Sequence, residues 1–285
     1  MAEFDWYQGT ARTTVDELLE GVFSLAERPW LDHGKGMHGY GTTTRVQSDV
    51  GLVCQVWHGG THHYPHFVFS GEGSQAGCEM IRVRFDHHVT RLDSKQDFGG
   101  EHAFELMQPV LLGAAKDHRI RVSCQGDHLL TKQGRTLGLG APSSAVGMRM
   151  YEKADELRAR FAADPVRLAT VPEFLTRVEL QVRPQTREAK QRFATIEPVE
   201  ALGSSAWSRQ VWRELLELEL EPVRVTVPYR QADHERAKSY MLAQYGGVLQ
   251  AMLADAGDWA CVGLQLGVDL AERERAIRMR KRAGQ

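Results

Sequence analysis

One order of segments occurs twice in the first 164 residues of the 285-residue chain, and it constrains the fold more than any other feature. A strand-like segment is followed by a helix-like segment, three strand-like segments and a second helix-like segment. The first copy runs from FDWYQGT (4–10) to SQAGCEMIRVRF (74–85), and the second from HVTRLDSKQDF (88–98) to ADELRARFAAD (154–164). The copies share little residue identity, so the β-α-β-β-β-α order alone suggests a structural duplication.

Strand-like segments precede most of the helix-like ones. FLTRVELQVRPQ (174–185) alternates charged or polar with apolar residues, as a strand does, and Pro184 ends it. Beyond about residue 198 the segments are mostly helix-like. This order predicts an α+β fold with a mainly antiparallel sheet, flanking helices and C-terminal helices, and not a Rossmann-type α/β fold. We expect two parts, residues 1–197 and a mostly helical region of residues 198–285.

The composition is that of an ordinary folded protein and limits the classes of function. Hydrophobic residues make up 42% and charged residues 25%, and the net charge of -2 means that a nucleic-acid partner would need a local basic patch. The four cysteines form no C-x-x-C pair, which argues against a thiolate zinc site and favours free thiols in a reducing compartment. No apolar run approaches the roughly 20 residues of a membrane helix, and no secretory segment is evident. We therefore expect a cytoplasmic protein.

Strand alternation places charged side chains on one face of three strands. These residues are Arg91, Asp93, Lys95 and Asp97 in the first strand, Arg149, Tyr151 and Lys153 in the second, and Arg177, Glu179, Gln181 and Arg183 in the third. A solvated face with cross-strand ion pairs explains such a pattern in many antiparallel sheets. The alternative is a site for phosphate chemistry.

In that alternative, each residue type has a chemical role. Asp93 and Glu179 would hold Mg²⁺ or Mn²⁺ through hard oxygen ligands, and the cation would polarise a phosphate. Arg149 and Lys153 would neutralise the charge of the phosphate while Tyr151 attacks phosphorus. A phenol has an ordinary pKa of about 10, so the neighbouring cations and the metal would be needed to favour the phenolate.

Four motifs in order give the chain a resemblance to a known family. They are TRLD (90–93) with Asp97 after it, GRTLGLG (134–140), MRMYEK (148–153) and RVELQVRP (177–184). With VWHGG (56–60) and FVFSG (67–71) upstream, this sequence resembles the replication initiation factor family. That family comprises the trans-acting rolling-circle initiators of plasmids and filamentous phages, with some conjugative relaxases.

The resemblance implies that residues 1–197 form a DNA-nicking domain built on a curved sheet. Tyr151 would cleave one strand at an origin, keep the 5′ phosphate as a phosphotyrosine and release a 3′ hydroxyl. The metal, Mg²⁺ or Mn²⁺, would be bound by Asp93 and Glu179, with Asp97 as a further candidate. The catalytic cations would be Arg149 and Lys153, and the DNA contacts Arg91, Arg177 and Arg183.

The expected partners are origin DNA, single- and double-stranded, and a separate helicase, because the chain has no G-x-x-x-x-G-K-[ST] motif for ATP. A homodimer is a further expected assembly. Two alternatives stay open. One is a conjugative relaxase with the same chemistry, and the other is a DNA-binding regulator of a phage or plasmid that does not cleave.

Histidines are concentrated in HGGTHHYPH (58–66). Four imidazoles in nine residues could bind zinc, but their spacing matches no closed zinc site and no cysteine joins them. A polar loop, or a loop that contacts DNA phosphate, is the alternative. No two histidines lie at i and i+2, so the His-hydrophobe-His motif of another class of rolling-circle nickases is missing.

Overall fold

The computed structural model describes residues 2–226 and 233–283, which contain ten strands and ten helices. The strands are β1 (Glu3–Ala11), β2 (Trp30–Lys35), β3 (Thr42–Ser48), β4 (Gly51–His58), β5 (His66–Ser70), β6 (His87–Gly99), β7 (Val122–Gln125), β8 (Thr136–Leu139), β9 (Val146–Glu152) and β10 (Leu175–Val182). The helices are α1 (Val15–Phe23), α2 (Ser74–Arg84), α3 (Ala103–Asp117), α4 (Lys153–Arg160), α5 (Pro165–Leu168), α6 (Arg187–Arg192), α7 (Pro198–Ala201), α8 (Ala206–Leu216), α9 (Asp233–Ala256) and α10 (Trp259–Ala283).

All ten strands form one open antiparallel sheet in the order β2-β3-β4-β5-β1-β6-β10-β9-β8-β7. The predicted α+β fold with a mainly antiparallel sheet and flanking and C-terminal helices is therefore confirmed. Strand β1 has two register irregularities against β6, which are the kind of feature that bends a strand. The curvature of the whole sheet stays a prediction.

The strand order is symmetric about the β1–β6 pair at the centre of the sheet. Each half consists of a central strand, one helix and a meander of four strands: β1, α1 and β2–β5 in the first half, and β6, α3 and β7–β10 in the second. The predicted order of a strand, a helix, three strands and a helix is confirmed in the second unit, which runs β6, α3, β7, β8, β9 and α4. The first predicted unit is wrong by one strand, because β2 also follows its first helix. In the second half, α4 and α5 lie between β9 and β10, so β10 is a separate element in the sequence.

The strand that the sequence did not predict is β2, with the sequence WLDHGK. It lies at one edge of the sheet and most of its residues are exposed. Edge strands of this kind carry charged residues and glycine instead of an alternating apolar pattern, since neither face is deeply buried. The local pattern therefore contains little evidence for a strand.

One face of the sheet is covered by helices and forms the core. Tyr7, Phe67, Leu92 and Leu180 project from the central strands into this core and are 0% exposed. Side chains from α1, α2, α3 and α8 pack against them. Because side chains alternate along a strand, the residues between these core positions lie on the opposite face, which carries the polar side chains described below.

The chain divides into two compact units, Met1–Val227 and Pro228–Gln285. The sequence predicts a boundary after residue 197, but Leu202, Val211 and Trp212 are fully buried in the core of the first unit. The second unit consists of α9 and α10, joined by a turn at Gly257, whose φ is +82°.

Among the described residues, no helix combines the length and apolar character needed to cross a bilayer.

Two helical glycines give a matched test of this packing. A Cβ at Gly77 in α2 would lie 2.4 Å from the buried ring of Phe69, whereas a Cβ at Gly113 in α3 would meet no atom within 4 Å. We expect Gly77→Ala to lower the free energy of unfolding by about 1–3 kcal/mol through overpacking. Gly113→Ala should raise it by up to about 1 kcal/mol, because alanine favours the helix. Urea denaturation measures both, and equal effects would contradict the packing of α2 on β5.

Candidate active site on the polar face of the sheet

A buried carboxylate connects the candidate nucleophile to a cation. Strands β9 and β10 pair Tyr151 with Arg177 and Arg149 with Glu179, which puts Tyr151 and Glu179 diagonally across the two strands. The Tyr151 hydroxyl donates a hydrogen bond to Glu179 Oε1 at 2.5 Å, and Arg149 Nη2 donates to Glu179 Oε2 at 2.5 Å. Glu179 is only 2% exposed, so both partners share a carboxylate with little access to water.

The environment keeps the proton on the phenol. Burial, and then the charge of Glu179, raise the pKa of Tyr151 well above its ordinary value. Burial also raises the pKa of Glu179, and Arg149 opposes this shift only in part. Arg149 and Lys153 alone therefore do not favour the phenolate, and the expectation that cations and a metal together do so stays a prediction. Tyr151 can ionise if its proton passes to Glu179 or if more positive charge reaches the hydroxyl.

Two cations flank the ring of Tyr151. The guanidinium carbon of Arg149 lies 5.8 Å and Lys153 Nζ lies 5.7 Å from the ring centroid. Strand β9 ends at Glu152, so Lys153 is the first residue of α4 and not a residue of the strand face. Its buried amino group is paired with Glu156 at 2.7 Å, whereas the side chain of Arg149 is 55% exposed. Arg149 is thus the more accessible of the two for a phosphate.

Asp93 is the second buried carboxylate on this face. It is 3% exposed, and Arg91 binds both of its oxygens, at 3.0 and 2.5 Å. Asp93 pairs with Gln181 across β6 and β10, so it lies diagonally from Glu179. Diagonal neighbours of this type have Cα atoms about 7–8 Å apart, which leaves their carboxylates within reach of one ion.

Asp97 is not brought together with Asp93. Four residues along one strand correspond to about 13 Å, so the two carboxylates lie at different places on the face. Asp97 accepts hydrogen bonds from Arg177 Nε at 2.6 Å and Nη2 at 2.7 Å. Within the described ranges, no group of three or more His, Cys, Asp or Glu side chains is placed to hold a metal ion.

A site with two carboxylates nevertheless fits the metals that the sequence suggests. Mg²⁺ commonly binds one or two protein carboxylates and completes its shell with water and phosphate oxygens. Asp93 and Glu179 supply hard oxygen donors on the same face, whereas Asp97 does not belong to this pair. Both carboxylates are bound by guanidinium groups, which a cation would have to replace.

Arg177, predicted as a DNA contact, is occupied by carboxylates instead. It is 6% exposed and donates to both oxygens of Asp97 and, at 2.8 Å, to Asp5. Burial alone would lower the pKa of Arg177, but Asp97 and Asp5 raise it above its ordinary value. The guanidinium therefore ties β1, β6 and β10 together. Asp5 could not be identified from the sequence, because nothing in FDWYQGT shows that β1 lies beside β6.

Arg91 and Arg183 lie at the other end of the face. Arg91 stacks over the ring of Trp6 at 4.2 Å, while Arg183 Nη1 donates to the carbonyl oxygens of Pro142 and Ser144. Arg183 follows Val182, which pairs with Leu92 next to Arg91. Burial and then the charge of Arg91 lower the pKa of Arg183. Two cations beside Asp93 form a local basic patch of the kind that a phosphate backbone requires.

The histidines of residues 58–66 do not converge on one point. His66 bonds to Gln8 and Thr10, His58 bonds to Thr44, and His62 bonds to the carbonyl oxygen of His38. His66 is 6% exposed and stacks on Trp57, with ring centroids 5.1 Å apart. These three histidines form hydrogen bonds with different partners, and among the described residues they form no group that could hold a metal ion.

Replacing Arg177 tests whether it holds the strands together. We expect Arg177→Met to lower the free energy of unfolding by roughly 3 kcal/mol, because Asp97 would lose its guanidinium partner and Asp5 would keep only Lys95, at 3.6 Å. Arg45→Met is the control, since Arg45 pairs with Asp32 at 3.2 Å where both side chains are well exposed. It should change the stability by less than about 1 kcal/mol. Similar urea midpoints for the two variants would contradict the positioning role.

The burial of His66 predicts a dependence of stability on pH. Burial, and then nearby His88, His38 and His62, lower the pKa of His66 to about 4. The unfolded chain binds a proton near pH 6.5 and the folded chain does not, so stability is lost as pH falls from 6.5 towards 4. Between pH 7.5 and 5 the wild type should lose about 2 kcal/mol more than His66→Gln. Urea titrations at several pH values measure the difference, and parallel profiles would contradict it.

Comparisons with known proteins give a likeness of low identity among solved structures. No protein-family model matches the sequence, and no curated protein matches it. Among solved structures, the chain is similar to a rolling circle replication initiator protein from Geobacillus stearothermophilus. The two are 19% identical over 71% of this chain and 82% of that chain, with a TM-score of 0.49. At this identity and score the functional conclusion depends on the side chains of the sheet face.

Proposed function

We propose that this protein is a rolling-circle replication initiator that nicks one DNA strand by tyrosine attack, with Mg²⁺ or Mn²⁺ as cofactor. The observation that carries the proposal is the hydrogen bond of 2.5 Å from the hydroxyl of Tyr151 to buried Glu179, with Arg149 on the other carboxylate oxygen. A phenol bound to a buried base, beside an exposed cation, is an arrangement suited to attack on phosphorus.

The reaction can be written with the residues present. Glu179 accepts the proton of Tyr151 as the phenol oxygen attacks the phosphorus atom of the scissile phosphodiester. The bond from phosphorus to the 3′ oxygen breaks, and that oxygen leaves and takes a proton from solvent. The products are a 5′-phosphotyrosine and a free 3′ hydroxyl. Because the number of phosphoester bonds is unchanged, the same groups can catalyse the reverse reaction and close the strand.

The arginines of the face would bind the phosphate backbone. Arg149 lies beside the nucleophile and is accessible, so it would neutralise charge on the attacked phosphate. Arg91 and Arg183 would hold neighbouring phosphates. Lys153, which is buried against the ring of Tyr151, would orient the ring, and Arg177 would fix the strands.

The cofactor would be held by Asp93 and Glu179. When bound, the cation supplies a Lewis acid that stabilises negative charge on the phosphate. Arg91 and Arg149, which neutralise these carboxylates, would then turn towards DNA. Origin DNA, a separate helicase and a second copy of the chain are the partners that belong to this proposal.

A nicking assay tests the proposal. Purified protein is incubated with a supercoiled plasmid that carries the replicon's own origin, with Mg²⁺ or Mn²⁺, and the products are separated on gels. We expect nicked or relaxed DNA with protein linked to the 5′ end, and no such product with Tyr151→Phe. Glu179→Gln should nick at least about 100-fold more slowly, because it removes the base and one carboxylate ligand of the cation. Tyr64→Phe and Glu72→Gln, at exposed positions, are the matched controls and should nick like the wild type.

Other outcomes assign the function differently. If Tyr151→Phe still forms a protein-linked 5′ end, a different tyrosine is the nucleophile. If the wild type binds origin DNA but never cleaves it with either metal, the chain is a DNA-binding regulator and the proposal fails. Cleavage at a transfer origin but not at a replication origin would identify a conjugative relaxase.

A further inference from the structure

The first half of the sheet carries an aromatic cluster on the same face as Tyr151. Trp57 pairs with His66 across β4 and β5, and His66 pairs with Thr10 across β5 and β1. The indole of Trp57 and the imidazole of His66 stack, with centroids 5.1 Å apart and planes inclined by 13°. The ring of Tyr40 lies 6.3 Å from that of Trp57 and 6.0 Å from that of His66. Trp57, His66 and Tyr40 are called the aromatic pocket below.

Two glycine-rich loops form the rim of the aromatic pocket. The amide of Thr61 donates to the carbonyl oxygen of Gly39 at 3.2 Å, and the amide of Gly41 donates to that of His58 at 3.1 Å. A Cβ on Gly60 would lie 2.3 Å from the carbonyl oxygen of Gly39, and its φ is +71°, so only glycine suits this position. His62, on the second loop, stacks on Tyr40 with ring centroids 4.0 Å apart. The rim is therefore fixed by backbone contacts.

One polar group in the aromatic pocket has no partner. Trp57 is 9% exposed, and its Nε1 is buried and forms no hydrogen bond with any described residue. A buried donor that lacks an acceptor costs about 1–3 kcal/mol, so such groups call for an explanation. The atom has no access to solvent in the described structure, so an acceptor of a ligand would reach it only where the surrounding rings separate. His66 stays neutral because burial lowers its pKa to about 4, so the pocket offers flat uncharged rings and not cations.

A chain of contacts joins the aromatic pocket to the candidate active site. Gln8 contacts His66 through its amide nitrogen and accepts from Trp6 Nε1 through its amide oxygen, each at 2.9 Å. The ring of Trp6 stacks with Arg91, which binds Asp93. From β4 to β9 the face spans five strand spacings, or about 24 Å. This length suits a short run of unpaired nucleotides.

We propose that the aromatic pocket of Trp57, His66 and Tyr40 binds an unpaired base of the DNA strand whose phosphate is cleaved at Tyr151. The proposal rests on the proposed function, since it names single-stranded DNA as the ligand of the same sheet face. Aromatic rings bind bases of any sequence through their faces, which suits a subsite that grips a strand beside the nick. The basic groups near Asp93 and Tyr151 would hold the phosphates that follow.

Binding of a defined oligonucleotide tests this subsite without cleavage. The probe is fluorescein-labelled dT20, titrated by anisotropy against full-length protein carrying Tyr151→Phe. In that background, Tyr40→Ala should weaken binding at least about 5-fold, the loss of one stacked base, while Tyr40→Phe should stay within about twofold. Tyr64→Ala is the matched control, because Tyr64 is an exposed aromatic residue on the second loop, between β4 and β5, and outside the aromatic pocket. It should bind like the parent.

A probe of the same charge without bases separates stacking from phosphate contacts. In dT20 with abasic sites at alternate positions, the parent should lose affinity, while Tyr40→Ala should lose much less. Thermal unfolding of each variant verifies that it is folded. If Tyr40→Ala binds dT20 like the parent, or the parent does not distinguish the two probes, the subsite is refuted. A wild-type chain that binds dT20 through Tyr40 but never nicks origin DNA would refute the proposed function and keep the subsite.

Discussion

The geometry of the sheet face depends on one buried guanidinium. Arg177 binds Asp97 on β6 and Asp5 on β1 from its own position on β10, so three strands that are far apart in sequence are joined at one point. This contact lies at the register in which Tyr151 faces Arg177 and Glu179 faces Arg149. A shift of β10 by one residue would send all of these side chains to the core face. The ion pairs of Arg177 thus specify the register that the candidate chemistry requires.

The two halves of the sheet have the same order of elements but different side chains at the polar face. The second half carries buried carboxylates with arginine partners, and the first carries stacked neutral rings. The symmetric order about β1 and β6 brings both surfaces to one face with the central strands between them. Under the two proposals, this symmetric scaffold would support two kinds of recognition, one for charge and one for flat rings, at a separation that a single nucleic-acid strand can span.

The sequence predicted the face that each site residue occupies better than it predicted what each residue touches. Alternation put Arg149, Tyr151 and Glu179 on one face correctly, because the strand period is local. It could not show that Arg177 is buried between Asp5 and Asp97, because that depends on which strands are neighbours in the sheet. Nor could it show that four strands follow each first helix, because β2 is an exposed edge strand and two helices precede β10. The local pattern of residues was enough to predict most strands and helices. It does not contain the pairing of distant strands, which decides what each site residue contacts.

The candidate site is electrostatically balanced before any ligand binds. Glu179 and Asp93 are buried and each is neutralised by one guanidinium, while burial and Glu179 keep the proton on Tyr151. Under the proposed function, Asp93 and Glu179 would hold the divalent cation, and Arg149 and Arg91 would bind phosphate without leaving a buried charge unpaired. The same positive charge would oppose the effects that raise the pKa of Tyr151. Under the proposed function, an exchange of partners, and not a change of fold, converts a protonated tyrosine into a nucleophile.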